Sequence, residues 1–143
     1  MSSATQVNMR HWLVRTQCGA AVSAVAVAVV AAAVGLTVQG VTAGMDALLG
    51  ALLVVLFFAL GALVEVASLK WLESIGILVL LSGYVFRIGL LGATAGLMMS
   101  ATWLAAPAWF AAGIVAATIA WITGLVVAHV TGRWPIYDLA VAK

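Results

Sequence analysis

One arginine lies inside a stretch of the sequence that otherwise reads as soluble in lipid. The stretch is SGYVFRIGLLGATAG, from Ser82 to Gly96, and the arginine is Arg87. A guanidinium is a permanent positive charge and a hydrogen-bond donor, so its chemistry is pairing with an acceptor or a carboxylate. Placing it at the bilayer centre costs about 2.5 to 3.5 kcal/mol on insertion scales. We therefore expect the side chain to face protein, water or a partner charge.

The depth of Arg87 leaves three interpretations open. Arg87 follows Glu73 by fourteen residues, which is about 21 Å at the rise of an α-helix and places it near the middle of the bilayer. The side chain could extend outward towards Asp46 and interfacial water, present its charge to another protein's membrane carboxylate, or line a pore. Glu65 and Glu73 lie about 15 to 20 Å away in depth by the same rise, so we expect neither to pair with it.

Four further residues near the middle and inner end of the membrane are candidates for binding. Tyr84 could hydrogen-bond the guanidinium or simply fill space. Glu65 begins the sequence EVASLKWLE, which indicates a salt-bridge patch at the inner interface, with a docking role as the alternative. Gly92 and Gly96 form a GxxxG pair, a spacing that lets helix backbones approach closely in lipid and suits a contact with another chain.

The composition places these residues in a membrane. The chain has 143 residues, of which 66% are hydrophobic and only 7% charged, and its mean hydropathy is +1.27. Soluble domains usually contain about 25% charged residues. We predict an integral membrane protein with lipid as its surroundings. Six basic and four acidic residues, giving a net charge of +2, are too few and too scattered for a nucleic-acid surface.

Four apolar runs are long enough to cross a bilayer, whose hydrocarbon core of about 30 Å needs about 20 helical residues. Short polar or Gly/Pro breaks separate the runs. We therefore predict an all-α integral membrane protein with four transmembrane helices arranged as two helical hairpins. The predicted single membrane domain covers residues 1–143, with spans at about 16–38, 46–67, 72–100 and 108–130 and a tail at 131–143.

The basic residues predict the orientation of these spans. With an even number of crossings, Arg15, Lys70 and Lys143 fall on one side, and the loops on the other side contain no Lys or Arg. Because basic residues concentrate on the cytoplasmic side, we expect both termini to be cytoplasmic. Trp12 would then lie at the inner interface and Trp109 at the outer one, as in an aromatic belt.

Small residues recur at every fourth position in the first and fourth spans. Lipid gives helices no hydrophobic reason to associate, so membrane helices pack where small residues let their backbones approach. We expect the fourth-span row to pack within the chain, and Trp121 to be a packing residue. The two rows are Ala20, Ala24, Ala28 and Ala32, and Ala108, Ala112, Ala116, Ala120, Gly124 and Ala128.

The sequence contains no recognisable catalytic constellation. Its serines lack a nearby pattern of His and carboxylate, and no glycine-rich phosphate loop follows a strand. His11 and His129 have no third type of metal ligand beside them, which argues against a metal site. We therefore expect a protein that is not an enzyme, with no cofactor, metal or small-molecule substrate.

The stretch GYVFR, from Gly83 to Arg87, followed by GATAG, resembles a known family. A chain of this size, with two tight hairpins, cytoplasmic termini and a glycine four residues before a basic residue in the third span, is similar to ATP synthase protein I. That family is the small hydrophobic product often encoded at the head of bacterial F-type ATP synthase operons. In many relatives a glutamate directly follows the glycine, with lysine three positions on. Here Tyr84 and Arg87 hold those two positions.

The resemblance implies a location in the bacterial cytoplasmic (inner) membrane and a role in assembling or stabilising the ring of c subunits. Each c subunit carries a carboxylate at about the depth of Arg87, which would give the arginine a partner. A magnesium-supply role, proposed for some members, loses support here because the glutamate is absent. The alternative from another class is a small oligomeric channel or ion transporter. The expected partner-binding residues are Arg87, Tyr84, Gly83, Gly92, Gly96 and Glu65.

Overall fold

The structure, a computed structural model, describes residues 3–68, 76–100, 102 and 104–131. It contains four helices: α1 (Ser3–Gln39), α2 (Val41–Ser68), α3 (Gly76–Met99) and α4 (Pro107–Thr131). No strand occurs in the described ranges. The predicted all-α class is confirmed for this part of the chain.

Three helical segments are long and apolar enough to cross a membrane. They are Val14–Gln39 within α1, Val41–Val64 within α2, and Pro107–Thr131, which is the whole of α4. The apolar segment of α3 found among the described residues, Val85–Met99, is shorter. The chain is therefore a helical, multi-pass membrane protein, and within its described residues three helices meet the requirements for a span.

A single glycine separates α1 from α2. From the sequence we expected a connection of seven residues, Gln39 to Met45, but the chain is helical on both sides of Gly40. Gly40 has a φ of 93°, a conformation that glycine adopts at helix ends because it has no Cβ. Its N–H donates to the carbonyl oxygen of Leu36 at 3.1 Å, and its own carbonyl accepts from Gly44 at 3.2 Å. One residue is therefore enough to reverse the chain.

Helices α1, α2 and α4 form a three-helix bundle with a core of small side chains. The backbones touch where glycines occur: a Cβ on Gly113 would overlap the carbonyl oxygen of Ala47, and one on Gly50 would overlap that of Phe110. Trp121 is 1% exposed and its ring centroid lies 5.3 Å from that of Phe58, which confirms its predicted packing role. The other buried members of the core include Ala20, Ala24, Ala28, Ala51, Val54 and Ala117.

The row of small residues predicted on α4 is only partly the row that packs. Ala108 and Ala112 are exposed, whereas Gly113 and Ala117 are buried although they are not in the predicted row. An α-helix turns about 100° per residue, so positions four apart drift by about 40° per turn. A strict every-fourth row therefore spirals away from the contact face, and in α4 only Ala120 of that row is buried.

Helix α3 lies at the edge of the bundle. It packs mainly against α2 and touches α4 only slightly, and Leu91 is its single buried side chain among those described. The second hairpin predicted from the sequence is therefore not a packed pair. The physical reason is that α4 contacts α2 and α1 through Gly113 and Gly124, where its backbone can approach closely.

Candidate functional site

Arg87 is bound to the backbone of α2. Its Nη2 donates a hydrogen bond to the carbonyl oxygen of Gly61 at 2.5 Å, and the side chain is half-buried. A carbonyl oxygen has two lone pairs, so one that accepts its helical N–H can accept a second donor. A Cβ on Gly61 would overlap the guanidinium of Arg87. The glycine therefore provides the space that the arginine occupies.

This contact directs Arg87 away from Asp46. Gly61 follows Asp46 by fifteen residues, which is about 22 Å along α2 and beyond the reach of an arginine side chain. The interpretation in which Arg87 extends outward to Asp46 is therefore wrong. The arginine is accommodated in the membrane by a backbone acceptor on the neighbouring helix.

The same contact places the guanidinium of Arg87 beside Gly61, which precedes Glu65 by one helical turn, about 6 Å along the axis of α2. Helical side chains lean towards the N-terminus of their own helix, which lowers the guanidinium relative to its Cα. The side chain of Glu65 is not among those that the structure describes, so its expected distance of about 15 to 20 Å from Arg87 stays a prediction.

Asp46 instead holds the N-terminus of α4. Its carboxylate accepts the backbone N–H of Ala106 at 2.5 Å and is only 6% exposed. Ala106 directly precedes Pro107, whose fixed φ and missing N–H suit the first helical position. A carboxylate here also interacts favourably with the positive end of the helix dipole. At the same end, Trp109 Nε1 donates to Gln39 Oε1 at 2.7 Å.

Four glycines of α3 face open space, unlike most glycines of the bundle. A Cβ built on Gly83, Gly89, Gly92 or Gly96 would meet no heavy atom within 4 Å. Gly89, Gly92 and Gly96 are spaced by three and four residues, so they lie on one side of the helix. We call these three residues the glycine face of α3. It is a surface on which another helix could approach the backbone closely.

The predicted site residues do not form one cluster. Arg87 and Gly96 are nine positions apart, so at about 100° per residue they point about 180° apart around α3. The arginine and the glycine face are thus on opposite sides, whereas Gly83 lies one turn from Arg87 on the arginine's side. The side chains of Tyr84 and Glu65 lie outside the described residues, and their expected roles stay predictions.

Gly61 is the site residue that sequence reasoning missed. The available signal was a glycine within the apolar stretch FFALGALVEV of α2. Such a glycine weakens a helix by about 0.8 to 1 kcal/mol relative to alanine, so its presence suggests close approach of another group. Which group approaches it depends on how α2 and α3 are packed.

Comparison with known proteins assigns no function to this arrangement of residues. Comparison of the chain with protein families, with curated proteins and with solved structures finds no match. Among the described residues there is no group of three or more His, Cys, Asp or Glu that could hold a metal ion. The chain's own contacts therefore define it as a multi-pass helical membrane protein whose edge helix has a free glycine face.

Proposed function

We propose that this chain is a non-catalytic membrane protein that binds other membrane helices through the glycine face of α3. The open Cβ positions of Gly89, Gly92 and Gly96 are the observation that carries this proposal. Association of helices in lipid depends on close packing, which small residues permit. The glycine face offers a partner helix the same close approach that Gly113 of α4 has to α2.

The proposed partner is the c subunit, or the c ring, of an F-type ATP synthase, with this chain as an accessory or assembly factor. This part rests on the resemblance of GYVFR and GATAG to ATP synthase protein I. The proposal includes a location in the bacterial cytoplasmic membrane. There α3 would make the fourth crossing, with both termini cytoplasmic. Support comes from the length of α3, whose 24 residues extend about 36 Å, and from the one-sided distribution of Lys and Arg.

In this proposal Arg87 has a role that is distinct from that of the glycine face. A carboxylate is a stronger acceptor for a guanidinium than a neutral carbonyl oxygen is. A c-subunit carboxylate that came within reach could therefore replace Gly61 as the acceptor. Because the arginine lies on the side of α3 that packs against α2, the carboxylate would have to enter at the edge of the α2–α3 contact, on the side of α3 opposite the glycine face.

The experiment is purification of the tagged chain from its native membranes in mild detergent, with mass spectrometry of what co-purifies. Wild type is compared with Gly92→Leu, with Arg87→Leu, and with the matched control Gly19→Leu, whose Cβ position on α1 is also open. We expect c subunits with wild type and with Gly19→Leu. We expect about tenfold less with Gly92→Leu, equivalent to about 1.4 kcal/mol of binding free energy.

The outcomes separate the parts of the proposal. Equal recovery with Gly92→Leu and wild type would overturn the glycine face as the binding surface. Equal recovery with Arg87→Leu would overturn the ion pair alone. Absence of c subunits from every sample would overturn the ATP synthase assignment. Ion flux into vesicles containing only the purified chain would favour the channel or transporter instead.

A further inference from the structure

A groove runs between α1 and α4 on the surface of the bundle. Its volume is about 680 Å³, within the range of about 300 to 1,000 Å³ that is usual for small-molecule sites. The lining is apolar except for two hydroxyls, those of Ser23 and Thr123. The Ser23 Oγ lies within hydrogen-bond distance of the carbonyl oxygens of Ala20 and Ala120, at 2.8 and 2.9 Å, so it bridges the two helices at the groove.

Small residues create this groove. The predicted row of α4 lines it through Ala116, Ala120, Gly124 and Ala128, and α1 contributes Gly19. A Cβ on Gly19 would meet nothing within 4 Å. The every-fourth row of α4 therefore contacts α1 at Ala120 and Gly124 and also forms one wall of the groove beside that contact.

The groove lies in one leaflet. It covers Gly19 to Val27 of the span Val14–Gln39, and Ala116 to Ala128 of the span Pro107–Thr131. In both spans most of this stretch lies in the half nearest the chain termini, and Ala116 and Val27 lie just past the midpoints. The twelve-residue separation along α4 corresponds to about 18 Å, and half of the hydrocarbon core is about 15 Å. The groove is therefore about as long as one leaflet is thick.

The groove is too small to contain a helix. Spread over about 18 Å of helix length, its volume of about 680 Å³ equals that of a cylinder about 7 Å across, with a cross-section of about 38 Å². An α-helix with side chains is about 10 to 12 Å wide. An unbranched hydrocarbon chain suits both the width and the length.

A described cation lies near the end of the groove that is closest to the termini. Arg15 precedes Gly19 by one helical turn and is exposed. Side chains on a helix lean towards its N-terminus, so the guanidinium of Arg15 extends towards the headgroup region. Among the described side chains Asp46 alone is acidic, and it lies at the opposite end of the bundle. The charge of Arg15 suits an anion, and a guanidinium pairs well with phosphate.

We infer that the α1–α4 groove binds one acyl chain of an anionic phospholipid whose phosphate is held by Arg15. The apolar lining receives the chain, and the guanidinium selects a lipid with net negative charge. Gly19 leaves the entrance open between them. This lipid would occupy its groove whichever partner α3 binds.

The test is native mass spectrometry of the purified, delipidated chain titrated with palmitoyl-oleoyl-phosphatidylglycerol or with the matching phosphatidylcholine. We expect one phosphatidylglycerol per chain, retained about tenfold more tightly than phosphatidylcholine. Arg15→Gln should reduce retention of phosphatidylglycerol to that of phosphatidylcholine, and Arg15→Lys should restore part of the difference. Gly19→Leu should abolish retention of both lipids, because its side chain fills the groove.

The matched control is Gly92→Leu, the same change at an open glycine on α3. It should retain phosphatidylglycerol as wild type does. Equal retention of the two lipids by wild type would show a non-selective surrounding lipid and overturn the inference. An unchanged preference in Arg15→Gln, or equal losses in Gly19→Leu and Gly92→Leu, would also overturn it. Arg15 is exposed, so its replacement tests lipid selection without disturbing the bundle core.

Discussion

The three-helix bundle and α3 use glycine in opposite ways. In α1, α2 and α4 six glycines are crowded, so that an added Cβ would come within 3 Å of another atom. In α3 a Cβ on Gly83, Gly89, Gly92 or Gly96 would meet nothing within 4 Å. The crowded positions are Gly35, Gly44, Gly50, Gly61, Gly113 and Gly124. Glycine is needed inside the bundle for folding, whereas on α3 it is available for another molecule.

This difference shows where the stability of the chain is concentrated. Close backbone contact replaces the hydrophobic effect as the source of helix association in lipid, and α1, α2 and α4 obtain it from one another. Helix α3 is attached through Leu91, its buried side chain, and through the hydrogen bond from Arg87 to Gly61. The bundle thus contains the close helix contacts, and α3 is the helix to which we propose that another protein binds.

The largest loss of unfolding free energy is expected from Gly113→Ala. The new Cβ would overlap the backbone oxygen of Ala47, which cannot move unless α2 and α4 separate. Overpacking costs typically about 1 to 3 kcal/mol, and we expect about 3 kcal/mol here because the obstacle is backbone. The measurement is the free energy of unfolding in mixed detergent micelles titrated with dodecyl sulfate. A loss below about 0.5 kcal/mol, within the range of a neutral surface change, would show that the helices are not in contact at this point.

The next largest loss of unfolding free energy is expected from Asp46→Ala. This substitution removes the hydrogen bond that joins α2 to the residue preceding α4. The N–H of Ala106 would lose its acceptor in a partly buried place. A fully buried unsatisfied donor costs about 1 to 3 kcal/mol, so we expect a loss near the lower end of that range. Asp46→Asn retains an oxygen acceptor and should cost less than half as much. Unfolding free energies of the two variants, measured under identical conditions, check this order. Equal losses would mean that the charge, not the acceptor, stabilises the contact.

The attachment of α3 is tested by combining Gly61→Ala with Arg87→Leu. Gly61→Ala should displace the guanidinium in the native chain but should be tolerated once the arginine is gone. We expect a coupling free energy of about 1 kcal/mol, within the range of about 0.5 to 3 kcal/mol for residues in contact. The double-mutant cycle is needed because Arg87→Leu alone also removes the cost of placing a charge in the membrane. Additive effects would indicate that the two residues do not interact.

The smallest change in unfolding free energy is expected from Gly92→Ala, and this change is a gain, not a loss. Its Cβ would enter open space, and alanine favours a helix by about 0.8 to 1 kcal/mol over glycine. The isolated chain should therefore gain up to about 1 kcal/mol of unfolding free energy. The same substitution at Gly113 is the matched comparison. If Gly92→Ala destabilised the chain as much as Gly113→Ala does, the contrast between α3 and the bundle would be incorrect.

Some features of the fold could be predicted because they depend on local properties of the chain. Membrane class and helical content depend on the length and hydropathy of apolar runs, so the predicted spans 16–38 and 108–130 fall inside α1 and α4. The burial of Trp121 also followed from its place in the middle of an apolar run. The reversal at Gly40 was missed because it uses one residue, where a longer loop is usual.

By itself, the sequence determined that this is a helical membrane protein and that Arg87 needs an acceptor within the membrane. Only the tertiary structure decided that the acceptor is the carbonyl oxygen of Gly61, that Gly113 and Ala117 pack while much of the every-fourth row lines a groove, and that α3 has a free face. The physical reason is that hydropathy is a property of each residue alone, whereas a contact depends on how two helices are placed relative to one another. Every residue has a backbone carbonyl, so the one that receives the arginine is identified only when the helices are placed side by side.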